Sequence, residues 1–502
     1  MNDELLAWVL LAPLLGGLVA IGLWLASRRK GASPQSTFWL DATALVSICA
    51  GLMVGPVLVL LAGAGAGLSL WEVDFTLTPV AQVVLPVSHA ALLAAVFFAW
   101  DDDEENPAHG IHPIWLAGAA MGTAILIAGA LLVEERTVRV LLLFGMALVA
   151  SGVAIIRTRG SSGGSEQARK LAGGLKHLAL ASVATALLVA GATLLDRYSL
   201  SLERRALLQL GLSLLSVGLL VRAGAMPFAA PFSDTMRAAP GVAILIMGAA
   251  VPATLGVGLL MLTPVEGSVV SASQTAWVAA VGVLLAGVRA VGISDFGFVP
   301  KAVSDLEKRQ RAVEVGLPVL GAMSVAAQVG WAMFGVLSGS RIGATGAVLL
   351  AANIAIAFPL LIVSIQKEGN LKSEIRNPKS EIGIMAGAAS LLGLPPFGGF
   401  IGTLMVAQAA ANVSGIWLGA LLLGTLFVGM AWAWAGIGMN AKQNRGSEVG
   451  QGENTDPSRR RWGTAPLLII VLIAVQLGLF LVSGQIADTL GNWAGAPWML
   501  AP

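Results

Sequence analysis

The 502-residue sequence has few charged side chains, four histidines and a single cysteine. Charged residues make up 12% of the chain, about half the share of a typical soluble domain. The lone Cys49 excludes a disulfide framework and a thiolate metal site, and the scattered histidines exclude a histidine-based metal cluster. The net charge of +2 gives no support for nucleic-acid binding. Hydrophobic residues, in contrast, make up 56% of the chain, which predicts a polytopic membrane protein whose surroundings are the lipid bilayer.

Long apolar segments fill most of the chain. Fourteen of them reach the length of about 17–20 residues that a helix needs to cross a bilayer. The fold class predicted is therefore an all-α polytopic membrane protein with about fourteen transmembrane helices. The approximate limits of the segments are 5–26, 39–64, 77–100, 111–133, 137–156, 171–194, 206–226, 240–263, 275–293, 313–338, 343–366, 383–411, 415–439 and 465–487.

The basic residues that connect these segments predict an orientation. Most of the 30 Lys and Arg residues fall in the odd-numbered loops, whereas few, Arg136 and Arg139 among them, are assigned to even-numbered loops. Because short cytoplasmic loops carry the excess of Lys and Arg, the odd-numbered loops are predicted to be cytoplasmic. We therefore expect a multi-pass protein of the inner (cytoplasmic) membrane with both termini on the outer side.

Three bases remain inside the predicted spans: Lys176, Arg222 and Arg289. Arg289 is near a span end and is expected to reach the interface with its long side chain. Lys176, six residues into its span, is compatible with either the interface or a functional role. Arg222 stands seventeen residues into its span and is followed at once by prolines. Since ionisable groups inside a membrane are costly, Arg222 is the strongest candidate for a functional position.

Prolines interrupt two spans. Pro227 and Pro231 follow Arg222 in "AMPFAAPFSD", and Pro395 and Pro396 lie in "ASLLGLPPFGGFIGTLM" within the twelfth span. Each proline removes a backbone N–H donor, so the seventh and twelfth helices are predicted to be broken. The two broken spans are five apart, and an odd spacing predicts two five-helix repeats of opposite orientation.

A domain division follows from this spacing. It comprises residues 1–110 with helices one to three, 111–263 with the first repeat and helices four to eight, 264–440 with the second, inverted repeat and helices nine to thirteen, and 441–502 with a polar loop and helix fourteen.

Four motifs in order resemble one family. "LKHLALASVATALLVAGATLL", "MSVAAQVGWAMFGVLSG" and "SLLGLPPFGGFIG" are similar to the sixth, tenth and twelfth spans of the antiporter-like membrane subunits of proton-pumping NADH–quinone oxidoreductase (complex I), most closely the N subunit. Related subunits occur in Mrp-type Na⁺/H⁺ antiporters and membrane-bound hydrogenases. The resemblance covers about residues 110–410. The family's seventh-span signature matches here at Arg222, Gly224, Pro227, Phe228, Asp234, Ala239 and Pro240.

The resemblance also shows where the pattern departs from the family. Its members are thought to translocate protons through a glutamate in span five paired with a lysine in span seven, and through lysines in spans eight and twelve. The matching positions here hold Ala147, Arg222, Ala253 and Thr403. A guanidinium stays protonated in proteins, so Arg222 cannot load and release a proton as a lysine does. The resemblance therefore implies a membrane-arm subunit that keeps the antiporter-like scaffold without pumping by the family mechanism.

Two other functions stay open at this point. One is a subunit of a multisubunit cation/proton antiporter or of a membrane-bound hydrogenase, in which Lys176, Arg222 and Asp234 would form a different relay. The other is a membrane scaffold or assembly factor. In the preferred interpretation the partners are other membrane subunits, which would handle NADH and quinone. No cofactor, metal or direct NADH binding is expected in this chain, which would be a non-redox subunit of a translocase complex.

Overall fold

The computed structural model describes most of the chain. The described residues are 2–27, 34–62, 64–70, 73–105, 113–157, 164–198, 205–238, 240–262, 268–294, 316–369, 378–440 and 464–493. The polar loop predicted to follow residue 440 lies outside these ranges, as do the domain boundaries predicted near residues 110, 263 and 440.

The described part of the chain is almost entirely helical. Its first half contains α1 (Asn2–Ser27), α2 (Pro34–Ala62), α3 (Pro79–Glu105), α4 (Pro113–Leu132), α5 (Arg136–Arg157), α6 (Gly164–Tyr198), α7 (Arg205–Ala223) and α8 (Ala230–Ala238). Its second half contains α9 (Pro240–Ala243), a π-helix (Ile244–Ala250), α10 (Val251–Leu262), α11 (Ser268–Ser294), α12 (Leu317–Leu337), α13 (Arg341–Gly369), α14 (Pro378–Leu391), α15 (Gly399–Val413), α16 (Gly415–Asn440) and α17 (Thr464–Trp493). The all-α polytopic prediction is confirmed.

Thirteen helices in the described ranges are long and apolar enough to cross a membrane. They correspond to all the predicted spans except the twelfth. That span is divided between α14 and α15, which have 14 and 15 residues and are each shorter than a full crossing. Thirteen of the fourteen predicted apolar segments therefore form one long helix each in the described ranges, and the twelfth segment forms two short helices.

A small β-hairpin joins α2 to α3. Strand β1 (Gly67–Leu70) pairs antiparallel with β2 (Val73–Thr76), and Gly67 faces Thr76 in the register. Phe75 bridges to Val133, just beyond α4. Besides its own pairing, the hairpin accepts a hydrogen bond from the N–H of Glu134 at the carbonyl of Asp74, at 3.0 Å, which ties it to the end of α4.

Three spans form the centre of the molecule. Every residue of Gly241–Leu262 and Leu317–Leu337 is buried, and α13 contacts α3, α10, α12, α14, α15 and α17. These central segments consist of alanine, glycine, leucine and other apolar residues with isolated hydroxyls and amides, and residues 241–262, 317–337 and 342–366 contain no charged side chain. The interior of the helical assembly is therefore nearly uncharged.

Two helices end at glycine residues with the same hydrogen bonds. After α7, the N–H of Gly224 donates to the carbonyl of Val221 at 3.2 Å, and the N–H of Ala225 donates to that of Leu220 at 3.0 Å. This pair of bonds is the Schellman pattern, which satisfies helix-end carbonyls when the residue after the helix adopts a left-handed conformation. The φ angle of Gly224 is +74°, a value that glycine adopts without a steric cost.

The end of α14 repeats this arrangement residue for residue. The N–H of Gly393, whose φ angle is +69°, donates to the carbonyl of Ser390 at 3.0 Å, and the N–H of Leu394 donates to that of Ala389 at 2.9 Å. In both places a cis peptide bond to a proline follows, at Pro227 and Pro396. The chain then resumes a helix at Ala230 and at Gly399.

We predict that Gly224→Ala destabilises the protein by about 1–3 kcal/mol, because a non-glycine residue is strained at positive φ. The new methyl would also overlap the ring of Phe232. The measurement is the thermal unfolding temperature in detergent, with Gly152→Ala as the control, since a Cβ at Gly152 on α5 meets nothing within 4 Å. Equal stability of the two variants would contradict the prediction.

Candidate functional site

Arg222 lies in the last turn of α7, next to the first break. Its side chain is buried, with 4% of the residue exposed, and its Nη2 donates to the carbonyl oxygen of Leu143 at 2.7 Å. The Nε atom has no hydrogen-bond partner. A cation at a helix C-terminus is favoured by the partial negative charge of the unpaired carbonyls there. The charge of Arg222 is therefore held largely by backbone dipoles.

Within this chain, the hydrogen-bond partner of Arg222 is not one of those that the sequence suggests. Carbonyls freed around residues 223–231, the carboxylate of Asp234 or an acid from a neighbouring subunit are the expected partners. The hydrogen bond goes instead to Leu143 on α5, one helical turn before Ala147. The guanidinium thus bonds the main chain of α5 one turn before Ala147, the position where the family resemblance expects a glutamate.

Lys176 and Asp234 form an ion pair that joins α6 to α8. Lys176 Nζ lies 2.8 Å from Asp234 Oδ2, and the two side chains are 57% and 33% exposed. Gly173, one turn earlier on α6, lies close to α8, since a Cβ there would be in van der Waals contact with that of Asp234 at 3.4 Å. The pair is partly exposed, so its contribution to stability is expected to be small. Of the three candidate charges, the structure brings Lys176 and Asp234 together and pairs Arg222 elsewhere.

An aromatic contact lies between the ion pair and the break. His177, adjacent to Lys176, is buried, and its ring centroid is 6.3 Å from that of Phe232. The Phe232 ring in turn covers Gly224, where a side chain would overlap it. Pro227 is exposed in the turn and Pro231 is buried in the first turn of α8, where proline is tolerated because the N–H that it lacks would be unpaired anyway. These residues fix the shape of the first break.

The second break is surrounded by a neutral polar network. It consists of Gln328 on α12, Asn353 on α13, Ser390 on α14 and Gln476 on α17, all buried. Asn353 Nδ2 donates to Gln328 Oε1 at 3.1 Å and to the Ser390 carbonyl at 3.0 Å. Ser390 Oγ donates to Asn353 Oδ1 at 2.7 Å and lies 2.9 Å from Gln476 Oε1. The network joins four helices through side chains that carry no charge at any physiological pH.

Gly399 allows the network to close against the start of α15. A Cβ on Gly399 would overlap the Ser390 carbonyl and would lie 2.7 Å from Asn353 Nδ2 and 3.0 Å from Gln328 Nε2. Pro395 and Pro396 are exposed on the other side of the break. In the sequence, Gln328, Asn353 and Gln476 stand as isolated amides inside apolar runs. That pattern marks each of them as unusual, but it does not show that they meet.

The remaining family positions are uncharged and packed. Ala253 is fully buried near the start of α10, which follows the π-helix. π-Helical turns occur frequently at functional sites in proteins. Thr403, on α15, lies against Gly393, where a Cβ would overlap its hydroxyl. At neither position does the structure place an ionisable group.

Arg139 is a buried base that the loop assignment missed. It lies in the first turn of α5, not in a loop, and is buried. Its Nε donates to the Val133 carbonyl at 2.5 Å and its Nη1 to the Leu260 carbonyl at 3.2 Å, near the end of α10. These contacts give Arg139 the role of tying two helix ends together. Within the described ranges, no three His, Cys, Asp or Glu side chains are placed to hold a metal ion.

Comparison with solved structures identifies the architecture. The chain is similar to a chain of the membrane-bound sulfane sulfur reductase, an archaeal respiratory membrane complex, with a TM-score of 0.72 and 16% identity over 97% of each chain. It is also similar to a chain of respiratory complex I from Thermus thermophilus, with a TM-score of 0.57 and 18% identity over 98% of this chain and 99% of the other. The chain has the fold of respiratory membrane-complex subunits. No protein-family model and no curated protein matches its sequence.

This shared fold extends over nearly the whole chain, so the two breaks and the central spans belong to one architecture. At 16% and 18% identity the likeness concerns the fold alone. The chemistry of this chain has to be argued from its own side chains, among which the neutral network is the most extensive buried polar feature described above.

We predict that Asn353→Leu destabilises the protein by about 1–3 kcal/mol, because it removes the hydrogen bonds of Asn353 with Ser390 and leaves the buried Gln328 Oε1 without its donor. The matched control is Thr254→Val, whose lost hydroxyl donates only to the Ala250 carbonyl of its own helix. Thermal unfolding of both variants in detergent checks the prediction. An equal, small loss in both would show that the network contributes no more than an ordinary helical hydroxyl.

Proposed function

We propose that this chain is a membrane-arm subunit of a complex I-like respiratory complex, which keeps an antiporter-like scaffold and does not itself carry protons. The similarity of fold to chains of two respiratory membrane complexes, over nearly full length, supports the first part. The sequence motifs around Arg222 and Pro396 point in the same direction. Other membrane subunits would be its partners, and NADH and quinone would be handled by those partners.

The two broken spans are proposed to be equivalent positions of two inverted repeats. Their glycine caps, at Gly224 and Gly393, share both hydrogen bonds and the sign of φ, and a proline stands three residues after each. The two spans are five apart in the chain, so the repeats would have opposite orientation in the membrane. In this comparison Arg222 is matched by Leu391, which is buried and apolar. At this matched position the first repeat thus has a positive charge, on Arg222, and the second repeat has none.

The observation that carries the non-pumping proposal is the neutral network at the second break. A proton relay needs groups whose protonation changes, or a chain of water that polar side chains hold in place. The members of the network around Ser390 hydrogen-bond one another and carry no charge, and the central segments have no charged side chain. Arg222 adds a fixed positive charge, since a guanidinium does not deprotonate in proteins.

The membrane and the orientation are part of the same proposal. A subunit of this kind would lie in the inner (cytoplasmic) membrane, and the excess of Lys and Arg in the odd-numbered loops favours both termini on the outer side. Protease accessibility of tags at the two ends, in sealed vesicles of known orientation, would test this.

A second candidate is a subunit of a cation/proton antiporter or of a membrane-bound hydrogenase. The Lys176–Asp234 pair favours it, because two titratable groups meet beside the first break. Affinity purification of the tagged chain in mild detergent separates the candidates. Recovery with quinone-reducing subunits supports the first, whereas recovery with cation-antiporter or hydrogenase subunits alone would overturn it in favour of the second.

We predict that the charge-swapped double variant Lys176→Asp with Asp234→Lys retains normal assembly and proton translocation. The pair is partly exposed and holds α8 against α6 through the attraction of two opposite charges. That attraction is the same whichever helix carries the positive charge. Each single variant should lose less than about 1 kcal/mol of stability. A loss of proton translocation in the double variant, with assembly intact, would favour a relay through these groups.

We also predict that Arg222→Ala lowers the yield of assembled complex, because it leaves the turn around Leu143 and the end of α7 without their link. Arg222→Lys should restore much of the yield through a single hydrogen bond. The decisive readout is the proton-to-electron ratio of whatever complex assembles, in sealed vesicles. We expect this ratio to equal that of the wild type in both variants, and a lower ratio in Arg222→Ala would mean that this subunit pumps.

A further inference from the structure

The crossing of α1, α2 and α3 contains a buried histidine that the proposed function does not use. His89 is fully buried at the middle of the membrane-spanning part of α3. Its Nδ1 lies 2.9 Å from the carbonyl oxygen of Leu85. A carbonyl only accepts, so Nδ1 carries the proton, and in the neutral ring Nε2 is an acceptor. His89 Nε2 has no hydrogen-bond partner.

A second acceptor lies in the neighbouring helix. Within α1, the carbonyl of Val9 would ordinarily accept a hydrogen bond from the N–H four residues later. That residue is Pro13, which has no N–H. Val9 is fully buried, so bulk water does not reach its carbonyl oxygen. The sequence of α1 therefore leaves this oxygen without its helical donor.

Gly55 on α2 brings the two acceptors to one place. A Cβ built on Gly55 would lie 3.6 Å from the Val9 carbonyl oxygen and 3.8 Å from His89 Nε2. Both atoms thus face the same glycine, from two different helices. The missing side chain leaves room beside two acceptors that both need a donor. Burial of such groups without a hydrogen bond is unfavourable.

We propose that His89 Nε2 and the Val9 carbonyl bind one water molecule at Gly55, which donates one O–H to each. Water is the smallest molecule with two donors, and buried waters in proteins characteristically bridge polar groups that the protein leaves unpaired. The site belongs to the three N-terminal helices and is separate from the break at Arg222. The bridging water would satisfy both the neutral His89 ring and the Val9 carbonyl that Pro13 leaves without a helical donor.

The test is an electron cryo-microscopy map of the intact assembly, purified from native membranes, at a resolution that shows ordered water. The expected result is a density peak at hydrogen-bonding distance, about 2.7–3.2 Å, from both His89 Nε2 and the Val9 oxygen. A map that shows other buried waters but no peak here would overturn the proposal. So would a direct hydrogen bond between Nε2 and the Val9 oxygen, because it would mean that the ring is protonated.

Variants separate the proposed atoms from a general effect of mutation. Gly55→Ala fills the space and His89→Leu removes one acceptor, so each should lose the peak. Gly22→Ala on α1, where a Cβ meets nothing within 4 Å, should keep it. If the first two variants do not assemble, Pro13→Ala keeps the test open, because it returns an N–H to the Val9 carbonyl and should also lose the peak. Persistence of the peak in Pro13→Ala or in Gly55→Ala would overturn the assignment.

Discussion

Backbone hydrogen bonding at two helix ends is the constraint on which this structure depends. A helix that stops inside a bilayer exposes carbonyls that no solvent can satisfy. The chain meets this constraint in the same way at Gly224 and Gly393. Each glycine has a positive φ angle, and its N–H and that of the next residue donate to carbonyls in the last turn of the helix. Arg222 precedes the first of these caps by two residues and Ser390 precedes the second by three.

What differs between the two breaks is the side-chain chemistry placed on the common backbone. The first keeps a cation, Arg222, bonded to a main-chain oxygen of α5. The second has an apolar residue at the matching position and gathers amides and a hydroxyl around the Ser390 carbonyl. The hydrogen bonds among these buried groups join four helices in one specific arrangement. Amides and hydroxyls stay uncharged at physiological pH, so this chemistry suits a structural link between helices and does not suit the exchange of protons.

The sequence predicts the helical class well, because apolar runs long enough to cross a bilayer can be counted directly. It predicts the contacts of the charges less well. The partner of Arg222 is the carbonyl of Leu143, and a carbonyl is present at every residue, so the pattern of side chains gives no signal for it. Arg139 falls inside the predicted limits of the fifth span, 137–156, and the structure buries it in the first turn of α5, so counting it with the loop bases is wrong. The meeting of Asn353 with Ser390 and Gln476 depends on how distant helices pack, which a single sequence does not specify.

The central claim is that the path between the two breaks does not conduct protons. The most direct measurement is the number and connectivity of ordered waters between Arg222 and Ser390 in an experimental structure of the assembled complex that resolves water. The account predicts that no hydrogen-bonded chain of waters joins the two breaks, because the central helices offer few polar side chains to hold it. A continuous chain of waters from Arg222 to the network at Ser390 would contradict the claim.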